Sequence, residues 1–137
     1  MSVAVQPPNP NPVIKTELGQ NLNDLSLLCY SLSAKSGWWT DLATGEPLER
    51  NKGEMIALIH SEVSEALEGV RKSIPDDKLP HRPMEEVEMA DALIRIFDYC
   101  GGFGLDVGGA LIEKLEYNKN RADHKLENRK KDGGKKI

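Results

Sequence analysis

Four acidic side chains carry the spacing on which chemistry could be built. Glu62 and Glu65 stand three apart in one segment, and Glu88 and Asp91 repeat the interval in a later one. Acids three apart on a helix point the same way, because three residues come close to one turn. Two such pairs on facing helices would bring four carboxylates together inside a bundle, a natural site for a hard divalent cation. With oxygen donors alone, Mg²⁺ or Mn²⁺ outranks iron. A di-iron bundle calls for Glu-x-x-His pairs. Here the residues three after Glu62 and Glu88 are Glu65 and Asp91, and His60, His81 and His124 have no matching partner.

A carboxylate cluster that binds Mg²⁺ needs an anionic ligand to balance the metal, and magnesium is usually shared between a few carboxylates and substrate phosphates. Lys114, Asn118 and Arg121 recur at i, i+4 and i+7, a cationic and amide row on one helix face. Lys114 and Arg121 supply the charged donors that a polyphosphate requires. Acids and bases together favour metal-assisted hydrolysis of a phosphoanhydride, in which the metal polarises phosphoryl oxygens and lowers the pKa of the attacking water. Trp38 and Trp39, both tryptophans of the chain, stand side by side in a loop. Either one of them caps the core, or the pair forms a base-stacking wall worth about 1–3 kcal/mol per base. Spacing leaves both open.

The elements that must position these groups read as helices. Leu18, Leu22, Leu25, Leu28, Cys29 and Leu32 recur at helical spacing from Thr16, and Gly37 stops them. From Lys52 to Lys72, Met55, Ile56, Leu58, Ile59, Val63, Ala66, Leu67 and Val70 fill one half of the helical wheel. Glu62 falls inside that apolar arc and Glu65 at its border. A charge in a buried face is expensive unless it is paired or metal-bound.

Ser73 to Pro83 is a turn region rich in proline. The helix that follows runs to about Cys100, with Pro83 as a fitting first residue, and ends at Gly101-Gly102. Glu88, Asp91, Arg95 and Asp98 form a stripe beside its apolar arc, which taken alone is a salt-bridge ladder on a solvated face. Glu86 lies nearer the arc than Glu88, so spacing does not choose the ligand. Asp106 caps a fourth helix predicted to reach Asp123, with Asn118 inside its apolar strip. No strand alternation, internal repeat or phosphate-cradling glycine loop is visible. Four helices with short connections predict an all-α, four-helix-bundle-type fold.

At 137 residues the chain predicts one domain. Residues 1–15 are expected as an extended or disordered Pro-rich arm, 16–124 as the helical domain and 125–137 as a basic flexible tail. The net charge of -4 argues against nucleic-acid binding through a basic surface. No apolar run approaches the ~18 residues of a membrane span, and no secretory signal is visible, so a cytoplasmic location is expected. Cys29 and Cys100 sit in apolar helical contexts and read as small buried hydrophobes rather than a disulfide.

These residues carry a family resemblance. The sequence is similar to the MazG-like branch of the all-α NTP pyrophosphohydrolases, whose signature is an E-x-x-E on one helix and an E-x-x-D on the next. Here the signature reads Glu62-Val63-Ser64-Glu65 and Glu88-Met89-Ala90-Asp91. The likeness extends to Gly37-Trp38-Trp39, to Glu54 through Ile59, to Ala92 through Ile96, and to Lys114 through Arg121, which resembles a K-x-x-Y-N-x-x-R segment. It covers about Leu18 to His124.

The resemblance implies cleavage of a (deoxy)nucleoside triphosphate between its α and β phosphates, giving a monophosphate and pyrophosphate. By position, Glu62, Glu65, Glu88 and Asp91 would hold Mg²⁺ (or Mn²⁺). Lys114, Asn118 and Arg121 would contact phosphates or sugar, and Tyr117, Trp38 and Trp39 the nucleoside. Many relatives carry a further Glu directly before the first motif acid. Here that position is Ser61, which leaves Glu62 as the candidate catalytic acid. A homodimer or homotetramer is also implied. Alternatives are a narrow dUTP/dCTP or purine-dNTP hydrolase and, outside enzymes, a helical interaction module whose acids are merely solvated.

Overall fold

The structure, a computed structural model, describes the backbone of residues 12–137 and the side chains from residue 16. Most of the expected Pro-rich arm, residues 1–11, lies outside the described residues. Every regular element among the described residues is helical: α1 (Pro12–Lys35), α2 (Lys52–Lys72), α3 (Met84–Gly102), α4 (Val107–Asn120), a 3-10 turn (Ala122–His124) and α5 (Leu126–Arg129). β pairing among them is confined to two isolated bridges, Thr40–Pro47 and Pro75–Pro83, each closing a loop.

The all-α expectation therefore holds, with shifted boundaries. Helix α1 begins at Pro12 rather than Thr16; proline is tolerated in a first turn, where its missing N–H has no helical acceptor. Helix α4 stops at Asn120, because Arg121 turns extended at φ -70° and ψ 131°. The stretch read as a tail carries α5, and the Arg129 guanidinium donates to the carbonyls of Lys135 and Lys136.

The chain divides into two compact units, one spanning Asp24–Leu105 and the other joining Asp106–Ile137 to the chain up to Asn23. In the Asp24–Leu105 unit, α2 and α3 pack along one another. Asn51 starts α2 by accepting the Glu54 N–H on its side chain, and Ser73 ends it in the left-handed conformation. The buried face of α2 is Met55, Glu62, Ala66 and Gly69. That of α3 is Glu88, Ala92, Phe97 and Cys100. Each face thus mixes small residues with a buried glutamate.

Helix α1 docks on the end of α3, where the Ser26 hydroxyl donates to the Phe97 carbonyl at 2.7 Å. A Cβ on Gly101 would stand 2.6 Å from the Ser26 carbonyl oxygen and 2.6 Å from Tyr30 Cβ. Gly101→Ala is accordingly expected to lower stability by about 1–3 kcal/mol, the usual cost of overpacking. A depressed thermal midpoint checks this, and an unchanged one refutes the close approach.

In the other unit, Asn23 joins the early part of α1 to the start of α4. Its Oδ1 accepts the Gly108 N–H and its Nδ2 donates to Asp106 Oδ1, each at 2.8 Å. Asp106 caps α4 as expected, accepting the Gly109 N–H. Gly19 and Gly108 let the two backbones touch: a Cβ on Gly108 would fall 2.0 Å from the Gly19 carbonyl oxygen.

Candidate metal centre

The packing of α2 on α3 converges three acids. Glu62, Glu65 and Glu88 each offer a carboxylate oxygen, and the three oxygens lie within 4.8 Å of one another. Glu62 is 8% exposed and Glu88 9%, whereas Glu65 is open to solvent. Burial of carboxylates opposes ionisation unless positive charge or hydrogen bonds compensate. The ion pair that the described residues supply to the group comes from Arg95, whose Nε donates to Glu62 Oε1 at 2.6 Å.

The remaining negative charge shows in Glu88. Burial first, then hydrogen bonding and repulsion from Glu65, a hydrogen bond with Glu62 and the charge of Asp91 push its carboxyl up to about 7. Asp91 is also raised, by burial and by Glu62, against the opposing pull of Arg95 and Lys78. Such a group favours a proton or a cation. Its donors are all hard oxygens, with neither a histidine nor a cysteine among them, and they fit Mg²⁺ or Mn²⁺.

The acids line a cavity of about 720 Å³, within the size range of small-molecule sites. Asp91 borders the same cavity outside the tight group of three. Cations border it too: Arg50, Lys78 and Arg95. So does Trp38, which is 65% exposed.

Trp39 behaves differently. Its ring meets Tyr30 and Phe103 edge-on at 5.3 Å, Arg50 lies 5.4 Å over it, and its indole N–H donates to Asp98 at 2.8 Å. The tandem thus splits: Trp39 is a packing residue and Trp38 faces the cavity rim.

One expectation for α3 is corrected, and a choice that spacing left open is decided. The stripe Glu88, Asp91, Arg95 and Asp98 is not a solvated ladder. Glu88 is buried, Arg95 reaches across to α2, and Asp98 accepts from the Ser33 hydroxyl and from Trp39. Glu86, nearer the apolar arc on the wheel, is exposed and paired with Arg82. The buried face of α3 takes in Glu88 and Ala92 along with Phe97 and Cys100, so the apolar arc is covered only in part. Both cysteines are free thiols, Cys100 buried and Cys29 half-buried.

Lys114, Tyr117, Asn118 and Arg121 belong to the other compact unit. Lys114 Nζ lies 4.7 Å over the Tyr117 ring. Arg121 grips Asp123 with two hydrogen bonds, at 2.9 and 2.7 Å, and holds that carboxyl below its ordinary range. The Asn118 Oδ1 is buried without a hydrogen-bond partner among the described residues. Arg50 and Lys78 carry no signal in the sequence, since both sit in connections and only the fold brings them to the acids. Compared with protein-family models, with curated proteins and with solved structures, the chain gives no significant match.

Proposed function

We propose that the protein is a Mg²⁺-dependent nucleotide pyrophosphohydrolase with a MazG-like four-helix fold. It would cleave (deoxy)nucleoside triphosphates between the α and β phosphates. The observation that carries this reading is the acid group Glu62–Glu65–Glu88, set in a cavity that also presents Trp38 and three cationic side chains. Acids alone would suit a bare cation; acids, cations and an exposed indole suit a metal-bound nucleotide.

In this reading Glu62, Glu65, Glu88 and Asp91 hold Mg²⁺, with Mn²⁺ as a substitute. When bound, the metal polarises phosphoryl oxygens and lowers the pKa of water. Glu62 is the acid assigned to accept the proton of the attacking water. Ser61 cannot take that role, since its hydroxyl is exposed and donates to the Leu58 carbonyl at 2.6 Å. Trp38 stacks on the base. Lys114, Tyr117, Asn118 and Arg121 are assigned to phosphate, sugar or base contacts; for Arg121 this requires release from Asp123.

Half-exposed apolar residues support a homodimer or homotetramer. Leu28, Leu32, Met89, Leu93 and Ile94 are 50–58% exposed, an apolar surface that a second copy would cover. Light scattering of the purified chain tests this.

The decisive experiment is a panel of nucleoside and deoxynucleoside triphosphates with Mg²⁺ or Mn²⁺, scored for pyrophosphate against orthophosphate. Pyrophosphate from one base alone would make this a narrow dUTP/dCTP or purine enzyme. No release, together with no thermal shift from Mg²⁺ plus nucleotide, would identify a non-catalytic helical module, because a ligand that binds the folded chain must stabilise it. Trp38→Ala is expected to weaken nucleotide binding about tenfold, within the range for a lost stacking platform, with an unchanged melting temperature. Titration of nucleotide into the variant checks it.

A further inference from the structure

Resting on the metal-site reading above, we infer that Arg95 is a charge-exchange residue: it neutralises Glu62, and yields that oxygen to a divalent cation by turning to the substrate polyphosphate. Arg95 hydrogen-bonds the acid group through its Nε, which donates to Glu62 Oε1. Among the described residues the two Nη groups make no hydrogen bond, Arg95 lines the cavity, and its side chain is 41% exposed. A guanidinium so placed keeps most of its fork for another partner, and that fork matches the paired oxygens of phosphate.

Electrostatics decides the direction of the exchange. A dication held by Glu62 and a guanidinium bonded to the same oxygen repel each other, at close range and in a partly buried site. The conflict disappears if a polyanion lies between them, contacting the cation on one side and the guanidinium on the other. Arg95 would then oppose cation binding when no nucleotide is present and favour nucleotide binding once the cation is in place. A merely structural ion pair has no such pair of opposite effects.

The test uses the full chain and two probes, Mn²⁺ alone and an α,β-imido nucleoside triphosphate with saturating Mn²⁺, both followed by calorimetry. Arg95→Gln is expected to bind Mn²⁺ on the order of tenfold more tightly than wild type, because a neighbouring positive charge is gone. The same variant should bind the imido nucleotide about tenfold more weakly. Arg95→Lys keeps the charge and loses the fork, so its Mn²⁺ affinity should stay near wild type while nucleotide binding falls.

Mn²⁺ affinity that is unchanged or weaker in Arg95→Gln overturns the inference, as does equal tightening in Arg95→Lys. Unchanged nucleotide affinity in both variants overturns it as well. The pyrophosphate assay judges the parent reading separately: a wild type that releases none ends that reading and leaves the binding comparison to decide on Arg95.

Discussion

Glu62→Gln is expected to lower pyrophosphate release by on the order of 10²–10³-fold, the range seen when one strong electrostatic contact to a transition state is removed. The substitution is nearly isosteric, and the amide oxygen can still accept from Arg95 Nε, which now bonds Glu62 Oε1 at 2.6 Å. The buried side chain keeps its size, and the repulsion among three neighbouring carboxylates is reduced. The variant should melt no lower than wild type while losing catalysis, a combination that separates chemistry from folding.

Asp91→Asn should cost less, about tenfold, because Asp91 borders the cavity outside the tight group and the amide oxygen that replaces its carboxylate can still ligate the cation. Glu86→Gln is the control, since Glu86 is exposed and engaged with Arg82; its activity should stay within about twofold, as for most surface changes. Steady-state pyrophosphate release with a Mn²⁺ titration measures all three. Wild-type turnover in Glu62→Gln would remove Glu62 from the site.

Glu62 was legible in the sequence because a charge between Leu58 and Ala66 on the helical wheel demands an explanation. Glu88 was legible only through the paired spacing with Glu62 and Glu65, not from its own helix, and the reason is physical. The apolar arc of α3 takes in Phe97 and Cys100, which are buried, and Met89, Leu93 and Ile94, which are about half exposed, while Glu88 is buried together with Ala92 beside that arc. Hydrophobicity marks a face that wants cover; it does not say which partner provides it. Trp38 and Trp39 are adjacent in sequence and opposite in role for a similar reason, since Asp98 and Phe103, far along the chain, fix one indole and not the other. Arg50 and Lys78 lie in loops, where no periodicity reports a direction. Helix existence was readable from spacing, while the ends of α1 and α4 depended on single backbone angles and on how much a proline is tolerated in a first turn.

The affinity for a divalent cation should rise about tenfold per pH unit below about 7 and then level off, because a coordinating carboxylate must first lose its proton. Glu88 sets the limit, with its carboxyl raised to about 7 from an ordinary 4.5. Between those values the folded chain holds a proton that the unfolded chain has released. The stabilising contribution of this group is thus fully present below about pH 4.5 and is lost as pH rises through about 7. Its size is at most about 3 kcal/mol, since each tenfold change in proton affinity is worth roughly 1.4 kcal/mol. Without divalent cation, wild type should therefore lose stability across that window relative to Glu88→Gln, whose amide has no proton to lose. Mn²⁺ should reverse the trend, since near neutrality the cation takes the place of the proton among Glu62, Glu65 and Glu88. Calorimetry at about pH 5, 6, 7 and 8, in buffers of different ionisation enthalpy, reads both the affinity and the proton released. Wild type should release nearly one proton per Mn²⁺ at the acid end and none at the alkaline end, with affinity about a hundredfold apart between pH 5 and 7. Glu88→Gln should show weaker binding with a flatter profile. A wild-type profile as flat as the variant's would mean that Glu88 is already ionised among its neighbours, and that the group of three acids does not exchange a proton for a metal.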